Sequence, residues 1–125
     1  LGWRNVPIKS LIEERVGYPV ILDNSVRVGA LGERWWGTES QVSDLVALYV
    51  GTGVGAGLIL NGQIYRGHNE AAGEIGHVVV AAHGDRCSCG KRGCLEAVAS
   101  GPAIARRAVG RMRDGQQSLL ETSDC

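Results

Sequence analysis

Three cysteines and one histidine, spaced closely between positions 77 and 94, constrain the fold of this chain more than any other feature. The cysteines lie in Cys87-Ser-Cys89-Gly-Lys-Arg-Gly-Cys94, and His77 precedes them in Glu74-Ile-Gly-His77. Thiolate and imidazole groups suit a tetrahedral zinc ion, and four protein ligands leave no open position for catalysis. We therefore predict a structural Zn2+ site formed by His77, Cys87, Cys89 and Cys94.

Two other states of the thiols stay open, a disulfide and ordinary burial. A bridge between Cys87 and Cys89 would be strained because only one residue separates them. The glycines and charged residues around them are unlike an apolar core. No stretch has the pattern of a secretory signal peptide, and free thiols suit a reducing compartment, so we predict a cytoplasmic protein.

The bulk composition excludes several classes of partner. At 125 residues the chain has the size of one domain. Its 13 basic and 13 acidic residues cancel, so no long-range field favours nucleic acid or an anionic membrane. No apolar run approaches the roughly 18 residues that span a bilayer. We predict a single domain over residues 1–125 without a membrane contact, in which residues 114–125 form a frayed tail.

The order of apolar runs and helix signals predicts an α/β fold. Asp23-Asn24-Ser25 is a strong helix cap, and the helix after it should place Ala30 and Trp35 on one face. Asn61-Gly62 predicts a two-residue type I′ hairpin turn. The predicted helices cover residues 8–16, 26–36, 94–100 and 102–113, with a helical turn at 71–75. The predicted strands cover residues 20–22, 44–50, 58–60, 63–65 and 77–81.

A glycine-rich segment, residues 51–57, follows one predicted strand. It lacks the arrangement of a dinucleotide fingerprint, because a hairpin rather than a helix comes after it. Small residues with exposed N–H groups can still contact a phosphate, and a threonine adds a hydroxyl. The alternative is a strand connection that needs positive φ angles and close packing, and the sequence favours neither. The candidate phosphate-loop residues are Gly51, Thr52, Gly53 and Gly55.

Two carboxylates flank the predicted metal site. Glu74 precedes His77 and Glu96 follows Cys94, so the metal would hold both segments near one pocket. Carboxylate oxygens accept hydrogen bonds from a polyhydroxylated ligand, and His77 could orient the pocket through the metal. The alternative is that both glutamates are solvated charges. The basic stretch between Arg106 and Arg113 is more simply a solvated helix face. Trp3, Trp35 and Trp36 are more simply core or subunit-contact aromatics.

Together these motifs resemble the ROK family of repressors, open reading frames and kinases. The matching segments are Leu22-Asp23-Asn24, Ala30-Leu31-Gly32-Glu33, residues 51–57, Glu74-Ile-Gly-His77 and Cys87 to Glu96. The resemblance implies the actin-like ATPase, ribonuclease-H-like fold, present in part, with a zinc knuckle. It also implies a sugar pocket that uses Asn24, Glu74, His77 and Glu96.

One departure from the family pattern favours its repressor branch. The family's kinases carry an Asn-Asp pair whose aspartate is the general base, and Ser25 stands at that position here. A serine hydroxyl stays protonated near neutral pH and cannot serve as that base. Shifting the register by two would place Asp23 there, but it would displace the match at Ala30 to Glu33.

The resulting prediction is the effector-binding portion of a sugar-responsive regulator, not an enzyme. A sugar or sugar phosphate is the expected effector, operator DNA would be bound only through an upstream domain, and a homodimer is expected. The runner-up is a fragment of a sugar kinase, the one case in which ATP would be a ligand. A zinc-stapled structural module without a ligand is the third possibility.

Overall fold

A three-stranded antiparallel sheet with one helix on its face forms the first half of the molecule, which a computed structural model describes over residues 2–37 and 42–119. The strands are β1 (Leu45–Val50), β2 (Val54–Leu60) and β3 (Gln63–Ile64), in that order across the sheet. Asn61 and Gly62 join β2 to β3 with φ angles of 50° and 75°. Positive φ at both positions is the mark of a type I′ turn, so the hairpin prediction is confirmed.

Helices α1 (Ile8–Val16) and α2 (Ser25–Trp36) precede the sheet, as the sequence predicted. The side chain of Asn24 accepts a hydrogen bond of 2.8 Å from the N–H of Val26 and so caps α2. Helix α2 packs on β1 and β2 through Ala30, which is fully buried. The backbones approach closely because Gly57 of β2 lies opposite Ala30, and a Cβ there would overlap the Cβ of Ala30.

The second half of the molecule is helical around the cysteine segment. A 3-10 helix (Ile75–His77) leads towards it, and α3 (Leu95–Ala99) and α4 (Gly101–Arg113) follow it. Ser100 caps α4, because its Oγ accepts from the N–H of Ala103 at 3.4 Å. Both predicted helices are confirmed within a few residues. Residues 114–119 continue as exposed turn and coil, and residues 120–125 of the expected tail lie outside the described residues.

Two predicted strands are wrong. Residues 20–22 form no strand, since the N–H of Val20 is bound by the side chain of Glu13 at 2.9 Å and no described strand pairs with this run. Residues 77–81 make only one isolated bridge, between Val79 and Cys94. Gly93 stands beside that bridge at a φ of 69°, which an extended ladder does not accommodate.

Two smaller predictions also change. The helical turn expected at 71–75 lies at 75–77, because Gly73 adopts a φ of 90° and its carbonyl accepts from Ala56 of β2 at 2.8 Å. Trp35 and Trp36 are 53% and 81% exposed, so neither is a core residue, and Trp3 is exposed too. Among the described helices, none combines the length and the apolar character needed to cross a membrane.

Candidate functional site

The structure brings His77, Cys87, Cys89 and Cys94 together, and their donor atoms all lie within 4.8 Å of one another. The Sγ of Cys87 is 3.5 Å from the Nδ1 of His77, and the Sγ atoms of Cys89 and Cys94 are 3.7 Å apart. A tetrahedron with bonds of about 2.3 Å to sulfur and about 2.0 Å to nitrogen has edges of about 3.8 Å and 3.5 Å. This group, the cysteine cluster, therefore fits a zinc ion. Its three cysteines are free thiols rather than a disulfide.

The thiols of the cysteine cluster differ in acidity. The backbone N–H of Cys89 stabilises the thiolate of Cys87 and lowers the pKa of Cys87 to about 6. Burial instead raises the pKa of Cys94, because its charged form would lose contact with water. The cluster thus offers a thiolate at neutral pH, which is the form that binds a metal.

Short turns hold the cysteine cluster in shape. The N–H of Cys87 donates to the carbonyl of Lys91 at 2.8 Å, which closes the loop from 87 to 94. Gly93 must be a glycine, because a Cβ at this position would overlap the carbonyl oxygen of Ala81. The Nζ of Lys91 reaches the backbone carbonyl of His77 at 2.8 Å and ties the 3-10 helix to the cysteine loop.

Glu96 connects the cysteine loop to the turn between β1 and β2. Its Oε2 accepts from the backbone N–H of Val54 at 3.1 Å, and its Oε1 accepts from the hydroxyl of Ser88 at 3.3 Å. A cavity of about 210 Å3 lies beside this carboxylate, and Thr52 and Arg106 are among its lining residues. Glu96 is thus a structural link as well as a candidate ligand-binding group.

The other expected sugar contacts lie apart from Glu96. Asn24 caps α2 with its oxygen, which leaves its Nδ2 group as a donor, and the residue is exposed. Glu74 is also exposed, at the start of the 3-10 helix. Within residues 2–37 and 42–119, no side-chain hydrogen bond joins Asn24 or Glu74 to the cysteine cluster or to Glu96. A ligand rather than direct contact would have to connect them.

The glycine-rich segment divides between a turn and a strand. Gly55 belongs to β2, where it lies opposite Tyr49, so only residues 51–53 form a turn. The positive φ angles that the strand-connection alternative requires are not found, since none of the glycines from 51 to 57 adopts one. The turn is fixed instead by contact with α4, whose first residue Gly101 donates to the carbonyl of Gly51 at 2.8 Å. Thr52, at the tip, lines the cavity beside Glu96.

Sequence reasoning missed a cluster of charges at the start of α2. Asp23 accepts hydrogen bonds from Arg27 at 2.6 Å and from Arg66 at 2.5 Å, and Glu70 completes the group. The spacing of four between Asp23 and Arg27, at the predicted start of α2, was the available signal, whereas Arg66 and Glu70 lie in a loop where helical spacing does not apply. The contact that brings Arg66 and Glu70 to Asp23 and Arg27 joins distant parts of the chain, and no local sequence pattern predicts it.

Comparison with known proteins gives one family and two kinds of relative. The sequence pattern of the ROK family matches residues 1–123. A glucokinase from Halalkalibacterium halodurans is 45% identical over 121 residues, which are 96% of this chain and 37% of that protein. A xylose repressor from Caldicellulosiruptor bescii is 46% identical over 104 residues, 83% of this chain and 26% of that protein. The crystal structure of a ROK family glucokinase from Streptomyces griseus, in complex with glucose and AMPPNP, superposes with a TM-score of 0.80.

That crystal structure is 38% identical in sequence and is matched over 91% of this chain and 36% of its own. The chain therefore spans between about a quarter and two fifths of the length of these relatives. The matched sugar kinases and repressors have the actin-like ATPase fold, of which the α/β arrangement described above is a part. Kinase and repressor match at nearly equal identity, so identity alone does not separate an enzyme from a regulator.

Proposed function

The chain belongs to the ROK family, and we propose that it is the sugar-sensing portion of a ROK-type transcriptional regulator. Position 25 carries this proposal. In the kinase pattern of the family this position holds the general-base aspartate, and here Ser25 occupies it as the first, exposed residue of α2. Without an ionised base, the expected loss in phosphoryl transfer is about 10²-fold to 10⁴-fold.

The neighbouring carboxylate of Asp23 is a poor substitute base. The hydrogen bond from Arg66, against the opposing effect of burial and with help from Arg27, lowers the pKa of Asp23 to about 2. A carboxylate with so low a pKa has little tendency to take a proton at neutral pH. Both of its oxygens already accept hydrogen bonds from guanidinium groups. This supports a site that binds a sugar without reacting with it.

The metal would have a structural role in this proposal. His77, Cys87, Cys89 and Cys94 would hold a Zn2+ ion as a closed tetrahedral set, which supplies a crosslink in place of an apolar core. The sugar or sugar-phosphate effector would lie between the exposed donor of Asn24 and the acceptors of Glu74 and Glu96, with His77 oriented by the metal. Since the chain has no net charge, operator DNA would be bound by a part of the parent protein outside these residues.

Calorimetry and a coupled kinase assay on the parent-length protein test the proposal together. The titrated panel is glucose, xylose and N-acetylglucosamine, with the 6-phosphates of glucose and N-acetylglucosamine. At least one of these compounds should give a heat of binding. The same sugar with Mg2+ and ATP should give no sugar-dependent ADP. A folded, zinc-loaded protein that binds none of the panel would favour the structural module instead.

The runner-up, a sugar kinase that binds ATP, rests on the 45% identity to a glucokinase. Rapid sugar-dependent ADP formation by the protein with Ser25 intact would establish it and refute the regulator. The variant Ser25→Asp is the matched comparison. If the parent protein retains a complete ATP site, this variant should gain phosphoryl transfer, while its affinity for the sugar should change little.

A further inference from the structure

An ion-pair network of Asp23, Arg27, Arg66 and Glu70 joins the start of α2 to the loop after β3. Asp23 and Arg27 are nearly buried, with side chains 8% and 11% exposed. The carboxylate of Asp23 receives Arg27 on one oxygen at 2.6 Å and Arg66 on the other at 2.5 Å. Two buried charges are held in a fixed geometry because each is paired on several sides.

Glu70 extends the network along the loop of residues 65–74. Its backbone carbonyl accepts from Arg27 at 2.9 Å, and its carboxylate accepts from Arg66 at 3.2 Å. Glu70 adopts a φ of 57°, which a residue with a side chain seldom does without support. Arg27 and Arg66 thus hold the loop through both the backbone carbonyl and the side chain of Glu70.

The loop ends at one expected sugar contact, and the helix begins at the other. The loop carbonyl of Gly73 accepts from Ala56 of β2 at 2.8 Å, and Glu74 follows directly. On the helix side, the N–H of Asn24 donates to the carboxylate of Asp23 at 2.7 Å. The network is therefore attached next to Asn24 at one end and to the segment that carries Glu74 at the other.

Compared with an apolar pair of similar size, a network of this kind adds little net stability, because pairing offsets the cost of desolvating the charges, although removing one partner is costly. Its main physical effect is to fix relative position, since paired guanidinium groups permit few arrangements. We propose that Arg66 is a positioning residue which, through the buried carboxylate of Asp23, sets the separation between Asn24 and Glu74 and so the choice among sugars. This proposal rests on the proposed function, because it concerns the same sugar site.

The experiment compares three variants of the parent-length, zinc-loaded protein by calorimetry with glucose, mannose, xylose and N-acetylglucosamine. Arg66→Ala should raise the Kd of the best-bound sugar about tenfold and reduce its discrimination from the next sugar. Arg66→Lys keeps one charge and should give intermediate values for both quantities. Arg107→Ala is the matched control, since Arg107 is an exposed arginine on α4 whose side chain donates to the backbone carbonyl of Val98, remote from the network.

Thermal melting of every variant fixes a temperature at which all are folded, so lost affinity cannot come from an unfolded fraction. Unchanged affinity and discrimination in folded Arg66→Ala would overturn the positioning role while the sugar-sensing function stands. An equal loss in Arg107→Ala would overturn it as well. A wild-type protein that binds no sugar would refute the proposed function and this inference together, which distinguishes the two kinds of failure.

Discussion

At the scale of single residues, several glycines are required by packing and not by turns alone. Gly73 combines a φ of 90° with a site where a Cβ would overlap the carbonyl oxygen of Ala56. Gly32 lies in α2 with an ordinary helical conformation, and a Cβ added to it would meet no heavy atom within 4 Å. These two glycines therefore respond differently to the same substitution.

Gly73→Ala should lower the free energy of unfolding by about 2 kcal/mol or more, since it adds a strained φ to a backbone overlap. Gly32→Ala should leave it unchanged or raise it by up to about 1 kcal/mol, because alanine favours the helix. Urea unfolding of both variants of the parent protein measures the difference. Equal stability of the two variants would contradict this account of Gly73.

Glu74 and Glu96, the two glutamates among the expected sugar contacts, should differ in their effect on stability. Glu96→Ala removes two hydrogen bonds and leaves the N–H of Val54 without its partner, so the free energy of unfolding should fall by about 1 to 3 kcal/mol. Glu74→Ala should change stability little, because this side chain is exposed. Both variants should weaken sugar binding. A Glu74 variant as unstable as the Glu96 variant would contradict the structural link assigned to Glu96.

At the scale of elements, local signals predicted the helices and the hairpin but not the pairing of extended segments. Helix α2 follows from its cap at Asn24, and the type I′ turn follows from Asn61 and Gly62. An extended segment becomes a strand only where a neighbouring segment pairs with its backbone hydrogen-bonding groups. The local sequence does not show which segment, if any, will be that neighbour. For the same reason the segments at 20–22 and 77–81 read as strands and are not.

The link between α2 and the 65–74 loop predicts a specific response to acid. The pKa of Asp23 is lowered to about 2, so its ion pairs contribute stability above pH 4, and this contribution is lost as the pH falls from about 4 to 2. Asp23→Asn removes that contribution. Urea unfolding of both proteins at pH 5, 4, 3 and 2.5 should show a stability difference that shrinks with acid. A difference that stays constant over this range would contradict the assignment.

At the scale of the whole molecule, hydrogen bonds at the turn of residues 51–53 and at the start of β2 join the sheet half to the cysteine half. Glu96 bonds the N–H of Val54, and Gly101 bonds the carbonyl of Gly51. The cysteine cluster was predictable because four metal ligands, three cysteines and one histidine, lie close together in the sequence between positions 77 and 94. The cavity beside Glu96 was not predictable, because it depends on how α4 meets the turn at residues 51–53.

Metal removal should therefore affect more than the cysteine loop. Structural zinc is typically bound with about 10 to 16 kcal/mol in small peptide sites, and its loss should release residues 74–96. Because Glu96 carries the link to β2, amide exchange should also accelerate at Val54 and in the turn before it. Hydrogen exchange of the parent protein before and after verified chelation measures both effects. Unchanged exchange at 74–96 would contradict a structural metal.

The face of the sheet that points away from α2 affects how the polypeptide behaves in solution. Val46, Leu48 and Val50 alternate with the residues that face α2 and are exposed on the opposite side of β1. A contiguous exposed apolar surface of this kind favours self-association in water. A polypeptide of residues 1–125 alone should therefore aggregate at the concentrations that calorimetry needs. Its solubility would have to be screened before any binding study.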